Sequence, residues 1–443
     1  MKIAFVSLGC DKNLVDSENM LGLIEKEGFE IISDETEADV LIVNTCAFIH
    51  DAKEESVNTI IELGEYKESG NCKSLIVCGC LSERYRQELI KLLPEVDAIV
   101  GTTNFYEIVN VIKDSLEGKD VDLTGDIDAP IMSDMPRLLT TSGHYAYLKI
   151  AEGCDNFCTY CIIPKLRGKF RSRNKEDILR EAEELVKSGV KELILVAQDV
   201  TSYGTEMYED YGLHNLVKDL CKIEELKWVR LLYCYPEKVT DELIEVIKTE
   251  DKVVKYIDMP IQHINNSVLK RMNRKTSKEQ IENLINKLRK EVEGICIRTT
   301  LIVGFPGETQ EQYEELASFA REFKLDRLGA FAYSREEDTP ADKLDGHLEE
   351  EIKNERQEDV MMIQQDIAKE LSDKMVGKEI EVVIEGKMAD ENVYIGRSYK
   401  DAPDVDGCVF IESEEEILTG EFAKVKVLSA NDYDLIAEIV EFI

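Results

Sequence analysis

Cys154, Cys158 and Cys161 fall within eight positions of the stretch EGCDNFCTYC (152–161), a C-x3-C-x2-C spacing. Thiolates at these intervals fit one loop wrapped around the corner of an iron–sulfur cluster, because such clusters are held by cysteine thiolates. A [4Fe–4S] cube has four irons to ligate. Three protein ligands leave one iron open, where a substrate or cofactor can bind directly, as at open catalytic metal sites generally. A zinc site would need a fourth ligand, and no His or Cys lies close by in sequence to complete it.

A second set is spread out. Cys10, Cys46 and Cys80 each end an apolar run of strand character, in SLGC, VNTC and VCGC. The carboxyl ends of adjacent strands in an open parallel sheet face one crevice. Three cysteines at three such ends can therefore converge, making a second three-thiolate set. Cys72, Cys78, Cys221, Cys234, Cys296 and Cys408 lack that placement, and most read as small buried apolar residues.

The elements that must position these residues are legible in the hydrophobic pattern. KIAFVSLGC, ADVLIVNTC and KSLIVCGC alternate with helical stretches over residues 1–112, which predicts a parallel α/β domain, placed at 1–125. Residues 113–137 are weakly patterned and read as a linker. Over 138–372, six strands (YAYLKIA, KELILVAQDV, KWVRLLYCYP, VKYIDMPIQ, ICIRTTLIVGFPG, RLGAFAYS) are separated by helices at 175–189, 214–224, 240–249, 277–291 and 309–323. That order predicts an incomplete parallel (β/α) barrel. A charged helix covers roughly 348–375. Residues 376–443 then change to short alternating runs broken by Gly, Asn and Asp, which predicts a small antiparallel β-barrel of about five strands.

Composition sets the outer limits. The 443 residues are 43% hydrophobic and suit a multidomain soluble protein. No apolar run reaches the ~18 residues that a membrane helix needs. The start, MKIAFVSLGCDKN, has no cleavage site and reads as a strand, so a cytoplasmic location is expected, where cysteines stay reduced. The net charge of −37 disfavours a broad nucleic-acid-binding surface. Lys165, Arg167, Lys169, Arg171 and Arg173 form a local basic exception: either a contact for cofactor or substrate carboxylate, or a solvated loop.

The C-x3-C-x2-C spacing, with Tyr160 just before the last Cys and a barrel strand before the first, resembles the radical S-adenosylmethionine (SAM) superfamily over residues of about 140–335. The resemblance implies that the open iron chelates the amine and carboxylate of SAM, and that one electron then releases a 5′-deoxyadenosyl radical. It also places Tyr160, Gln198, Gly304, Pro306 and Gly307 in the vicinity of SAM. The residues themselves support only a location at the carboxyl ends of barrel strands. Gly304, Pro306 and Gly307 read equally well as a plain turn.

Cys10, Cys46 and Cys80, followed by the second cysteine set and a β-barrel tail, resemble the methylthiotransferases over essentially the whole chain. These insert sulfur into an unactivated C–H bond and methylate it. The resemblance implies two [4Fe–4S] clusters, the amino-terminal one holding the transferred sulfur, and two SAM molecules per product. SLGCDKNLVDSE and HYAYLKIAEGCDNFCTYCIIPKLRGKFRSR resemble the branch that modifies the β-carbon of an aspartate in ribosomal protein uS12; Ser142 stands where that branch frequently has Pro. The tail resembles a TRAM domain. In transfer-RNA-modifying enzymes it should be basic, yet residues 377–443 hold six Lys and Arg against seventeen Asp and Glu. Such a tail suits a basic protein partner. A reductant such as flavodoxin or ferredoxin is implied, with no membrane partner and no nucleic-acid substrate. Two alternatives stand beside this reading: a transfer-RNA methylthiotransferase of the same mechanism, and a non-catalytic iron–sulfur carrier, which leaves the full barrel unexplained.

Overall fold

The computed structural model describes residues 1–389 and 391–443. In the amino-terminal domain, β1 (Lys2–Ser7), β2 (Glu30–Ile32), β3 (Val40–Thr45), β4 (Ser74–Gly79), β5 (Ala98–Val100) and β6 (Val121–Leu123) form a parallel sheet in the order β2-β1-β3-β4-β5-β6. β3 and β4 are buried at every position, as expected of central parallel strands covered on both faces by helices. The strands β1, β3 and β4, which lead into the three cysteines, are adjacent in the sheet.

The expected linker, 113–137, carries regular structure only in its first part. Helix Ile108–Leu116 and the edge strand β6 extend into it. Beyond them, Pro136 and Arg137 press against helix Asp11–Lys26 so closely that a Cβ on Gly22 would lie 2.5 Å from the Pro136 carbonyl oxygen. Leu138 N–H donates to the Glu18 carbonyl, and the Arg137 guanidinium grips the buried Glu18 carboxylate at 2.6 Å. The segment is a strap that fastens the first helix to the rest of the chain.

The second domain begins with β7 (Tyr145–Lys149). The short antiparallel strands β8 (Ala151–Glu152) and β9 (Arg171–Ser172) then bracket the cysteine loop. β10 (Glu192–Val196), β11 (Trp228–Leu231), β12 (Val253–Asp258), β13 (Cys296–Val303) and β14 (Arg327–Ala332) follow, all parallel, in the order β14-β13-β12-β11-β10-β7. This is the expected six-stranded incomplete barrel. Its helices have local causes: Ser277 with Gln280, and Thr309 with Gln312, form reciprocal capping boxes at the starts of Lys278–Glu291 and Gln310–Phe323. Ile281, Ile285 and Leu288 make the helical stripe that buries the first of these helices.

β15 (Glu379–Lys387), β16 (Val393–Ser398), β17 (Val409–Glu412), β18 (Phe422–Asn431) and β19 (Asp434–Phe442) close into a barrel in the order β15-β16-β17-β19-β18. It departs from the expected antiparallel barrel at one seam, since β17 and β19 pair in parallel. This tail caps the amino-terminal ends of the larger barrel's strands. Val383 and Phe422 join Tyr145, Trp228, Val254 and Cys296 in one apolar cluster, with Trp228 edge-on to Phe422 at 4.9 Å. Around that cluster, the buried Arg397 reaches Glu192 at 2.5 Å and Glu385 at 2.9 Å, Arg230 meets Glu192 at 2.7 Å, and Arg327 bonds Asp401.

Removing one member of a buried ion network leaves its partners uncompensated and costs about 3–5 kcal/mol. Arg397→Met is therefore expected to lower stability toward denaturant by that amount and to expose the tail to limited proteolysis, with cleavage concentrated near 374–378. Unchanged stability and protease resistance would show that the apolar cluster alone seats the tail.

Candidate active site

The carboxyl ends of β1, β3 and β4 present Cys10, Cys46 and Cys80. Gly9 (φ +93°) and Gly79 (φ +92°) make the turns that deliver two of them, in backbone conformations that L side chains rarely adopt. Space is also closed there: a Cβ on Gly9 would sit 2.8 Å from Cys46 Cβ, and one on Gly79 would sit 2.3 Å from Asn44 Oδ1.

Cys154, Cys158 and Cys161 sit on the loop after β8, and all six cysteines line a single cavity of about 870 Å³ between the first domain and the carboxyl ends of the barrel strands. Tyr160 and Gln198 are also on its wall. Gly304, Pro306 and Gly307 are not. They form a tight turn after β13, in which Gly304 N–H donates to Glu308 Oε1 at 3.0 Å and Gly307 N–H to the Gly346 carbonyl at 2.7 Å. Between them, the fully buried Phe305 packs in the cluster that also contacts Tyr160.

A buried charge network joins the two sides of the cavity. Arg167 donates to Asp16 Oδ2 at 2.8 Å and to Glu152 Oε2 at 3.0 Å, and it bonds Asn13 Oδ1. Lys149 bonds both Asp16 and Glu152, the latter at 2.9 Å. Arg167 Nη2 lies 3.8 Å from Cys80 Sγ, and Gln198 Nε2 donates to Glu152 Oε1 at 2.6 Å. Burial alone would raise the Glu152 pKa, but Arg167 and Lys149 outweigh it and hold the carboxyl below its ordinary range.

The basic run is thus mostly structural. Arg167 is neutralised inside the network, Arg171 bonds the Lys169 carbonyl, and Arg173 pairs with Glu181 at 2.7 Å. Periodicity in sequence singled out neither Asp16 nor Lys149. It also missed Tyr233, Tyr235, Gln262 and Arg274 on the barrel side of the wall. The available signal was position for three of them, since Tyr233 and Tyr235 follow the end of β11 and Gln262 the end of β12, whereas Arg274 lies beyond the helix Asn266–Arg271.

The residues fit iron–sulfur ligation and an amine-bearing cofactor. Burial pushes the Cys46 thiol up to about 12, with a further rise from neighbouring Cys80 and Cys10. Burial likewise pushes Cys154 up to about 11. Thiols that crowd one another in this way ionise together only around a positive centre, which metal supplies. Among the described residues no three His, Cys, Asp or Glu groups converge on a point that could hold a single ion. A cube asks for less, because each thiolate meets a different iron and the sulfurs stand apart by the width of the cluster. On the barrel side Gln198 Oε1 and Gln262 Oε1 are buried acceptors without partners, and a bound amine would satisfy them.

Residues 148–320 match the model of the Radical SAM superfamily, residues 2–101 that of UPF0004, described as an uncharacterized protein family, and residues 376–440 that of the TRAM domain. Among solved structures, the radical S-adenosylmethionine methyltransferase TsrM from Kitasatospora setae, with cobalamin and a [4Fe–4S] cluster bound, shares the fold. Its TM-score is 0.58 at 14% identity, over 77% of this chain and 76% of that one. The fold and the cysteine loop are those of a radical SAM protein, a class that uses an iron–sulfur cluster and SAM. Proteins named "Ribosomal protein uS12 methylthiotransferase RimO" match almost end to end. The one from Lachnoclostridium phytofermentans is 52% identical over 98% of this chain and 99% of its own. That from Clostridioides difficile is 51% identical over 99% of each. The chain belongs to the RimO family of methylthiotransferases.

If the network sets the docking of the two domains, Arg167→Met strands Asp16 and Glu152 on Lys149 alone. The expected cost is about 3–5 kcal/mol in a denaturant titration of the metal-free protein. Arg167→Lys keeps the charge but loses the fork, and should fall in between. Equal stability of all three proteins would contradict the role given to the network.

Proposed function

We propose that this chain adds a methylthio group to the β-carbon of an aspartate in ribosomal protein uS12, using two [4Fe–4S] clusters and two SAM molecules per product. The observation that carries the reading is the placement of both three-cysteine sets on one cavity. Cys154, Cys158 and Cys161 would hold the cluster that binds SAM, and Cys10, Cys46 and Cys80 the cluster that bears the sulfur. When loaded, these groups supply a 5′-deoxyadenosyl radical to take the substrate hydrogen, sulfur to replace it, and a methyl group from the second SAM.

The chain's own residues contribute enclosure and order. Leu8, Ile163, Leu166 and Pro260 line the cavity beside the cysteines and restrict water around reactive intermediates. Tyr160 and Gln198 stand on the wall where SAM would lie, and Gln198 is held by Glu152. A one-electron reductant such as flavodoxin or ferredoxin would serve the barrel cluster, in the cytoplasm where ribosomal proteins are made. No helix among the described residues is long and apolar enough to cross a membrane.

Tail charge favours the protein substrate over transfer RNA. Of its six basic residues, Arg397 is buried against Glu192 and Lys400 is turned to Asp326, so neither is available to phosphates. Glu412, Glu414, Glu415 and Glu416 are exposed.

Anaerobic reconstitution should give about eight irons per chain if each set holds one cube, and replacing Cys154, Cys158 and Cys161 together by Ala should leave half. Replacing Cys10, Cys46 and Cys80 should abolish methylthiolation of uS12, followed by mass spectrometry, while 5′-deoxyadenosine still forms. Loss of 5′-deoxyadenosine with the barrel cluster intact would refute this division of roles.

Reversing Glu412, Glu414, Glu415 and Glu416 to Lys should slow association with uS12 and flatten its salt dependence, because rim charges act mainly on the encounter rate and are screened over ~10 Å at 0.1 M salt. A transfer-RNA substrate predicts the opposite sign. Undiminished uS12 association in the reversed protein would remove the electrostatic argument.

A further inference from the structure

Three cations reach the cavity wall among the described residues: Lys12, Arg167 and Arg274. Two are committed elsewhere. Arg167 is used by Asp16, Glu152 and Asn13. Arg274 donates to the Pro260 carbonyl at 2.8 Å, lies 4.0 Å over the Tyr235 ring, and has Nη1 3.9 Å from Cys158 Sγ. It belongs to the barrel cysteines.

Lys12 differs. It sits in the first turn of helix Asp11–Lys26, two residues after Cys10, and is only 7% exposed. Its ammonium is 2.8 Å from Asp11 Oδ1 and 3.4 Å over the centroid of the Tyr233 ring. The Tyr233 hydroxyl donates to the same Asp11 oxygen at 3.0 Å. An ammonium has three donors. One meets Asp11 and one faces the ring, while no hydrogen bond from the third to protein is present among the described residues. Asp11 Oδ2 is also buried without a partner. The cavity therefore holds a braced cation with donor capacity to spare, two residues after Cys10 and against Tyr233 of the barrel wall.

We propose that Lys12 receives the carboxylate of the substrate side chain and so sets the adjacent carbon between the two cysteine sets. This rests on the aspartate reading above. Asp11 and Tyr233 are positioning residues: they hold the ammonium in place. An anionic acceptor on a buried ammonium makes a charge-assisted hydrogen bond that an amide of the same shape cannot match, so Lys12 would select aspartate over asparagine.

The test is a two-by-two cycle on the full-length, anaerobically reconstituted protein. The wild type, Lys12→Met and Lys12→Arg are each given uS12 with its target aspartate or with that residue changed to asparagine. Binding affinity and methylthiolation are read separately, with iron content measured on every sample. The wild type is expected to bind the asparagine form about 10- to 100-fold more weakly, the range of a buried charge-assisted bond. Lys12→Met should weaken the aspartate form by the same factor and leave the asparagine form where it was, at unchanged iron content. Lys12→Arg should recover part of the preference. Equal binding of both forms by the wild type overturns the assignment without any variant, and so does a Lys12→Met loss that is equal for both forms or that tracks lost iron. If the wild type neither binds nor modifies aspartate-bearing uS12, the functional reading fails at its own row, and this assignment falls with it.

Discussion

Two carboxylates and two cations, Asp16, Glu152, Lys149 and Arg167, are buried together where the amino-terminal domain meets the barrel. The group is neutral overall, and each member is compensated only while all four are present. Asp16 comes from the first helix; the others come from β7, β8 and the turn before β9. The set can close only if the two domains meet in one register, so its desolvation cost is converted into positional specificity. Its two ends touch the chemistry: Arg167 approaches Cys80, and Glu152, two residues ahead of Cys154, holds Gln198. The same four side chains thereby fix each cysteine set relative to the other.

The rest of the chain follows from keeping that contact intact. The strap through Pro136 and Arg137 locks helix Asp11–Lys26, which carries Asn13 and Asp16, against the barrel. A second contact closes the far side, where Arg84 and Lys53 both reach the buried Glu336 at 2.8 Å. An incomplete six-stranded barrel would leave its amino-terminal end open, and the tail fills it with Phe422, Val383 and the Arg397–Glu192 pair. Chemistry is confined to one end of the strands and assembly to the other, as expected of this class of barrel.

Much of this was legible in the sequence because it is written in local periodicity. Six barrel strands, their five helices and five tail strands announce themselves by alternation and by helical stripes such as Ile281, Ile285 and Leu288. The placement of Cys10, Cys46 and Cys80 at strand ends was legible for the same reason. Three-residue strands such as β2, β5 and β6 were not, since three residues do not establish a period. The helical stretch that follows KSLIVCGC breaks at Arg86 (φ +48°), where nothing in the residue type demands it. The parallel seam between β17 and β19 is a pairing choice that alternation does not encode. Most important, that two cysteine sets share one cavity depends on Asp16 finding Lys149, 133 positions away, and no short-range pattern records such a pair.

The central claim is this shared cavity, and an iron-edge anomalous difference map of the anaerobically reconstituted crystal tests it most directly. Two iron peaks are expected, one beside Cys10, Cys46 and Cys80 and one beside Cys154, Cys158 and Cys161, both opening onto the same cavity. A single peak, or two peaks in cavities separated by packed side chains, would contradict it.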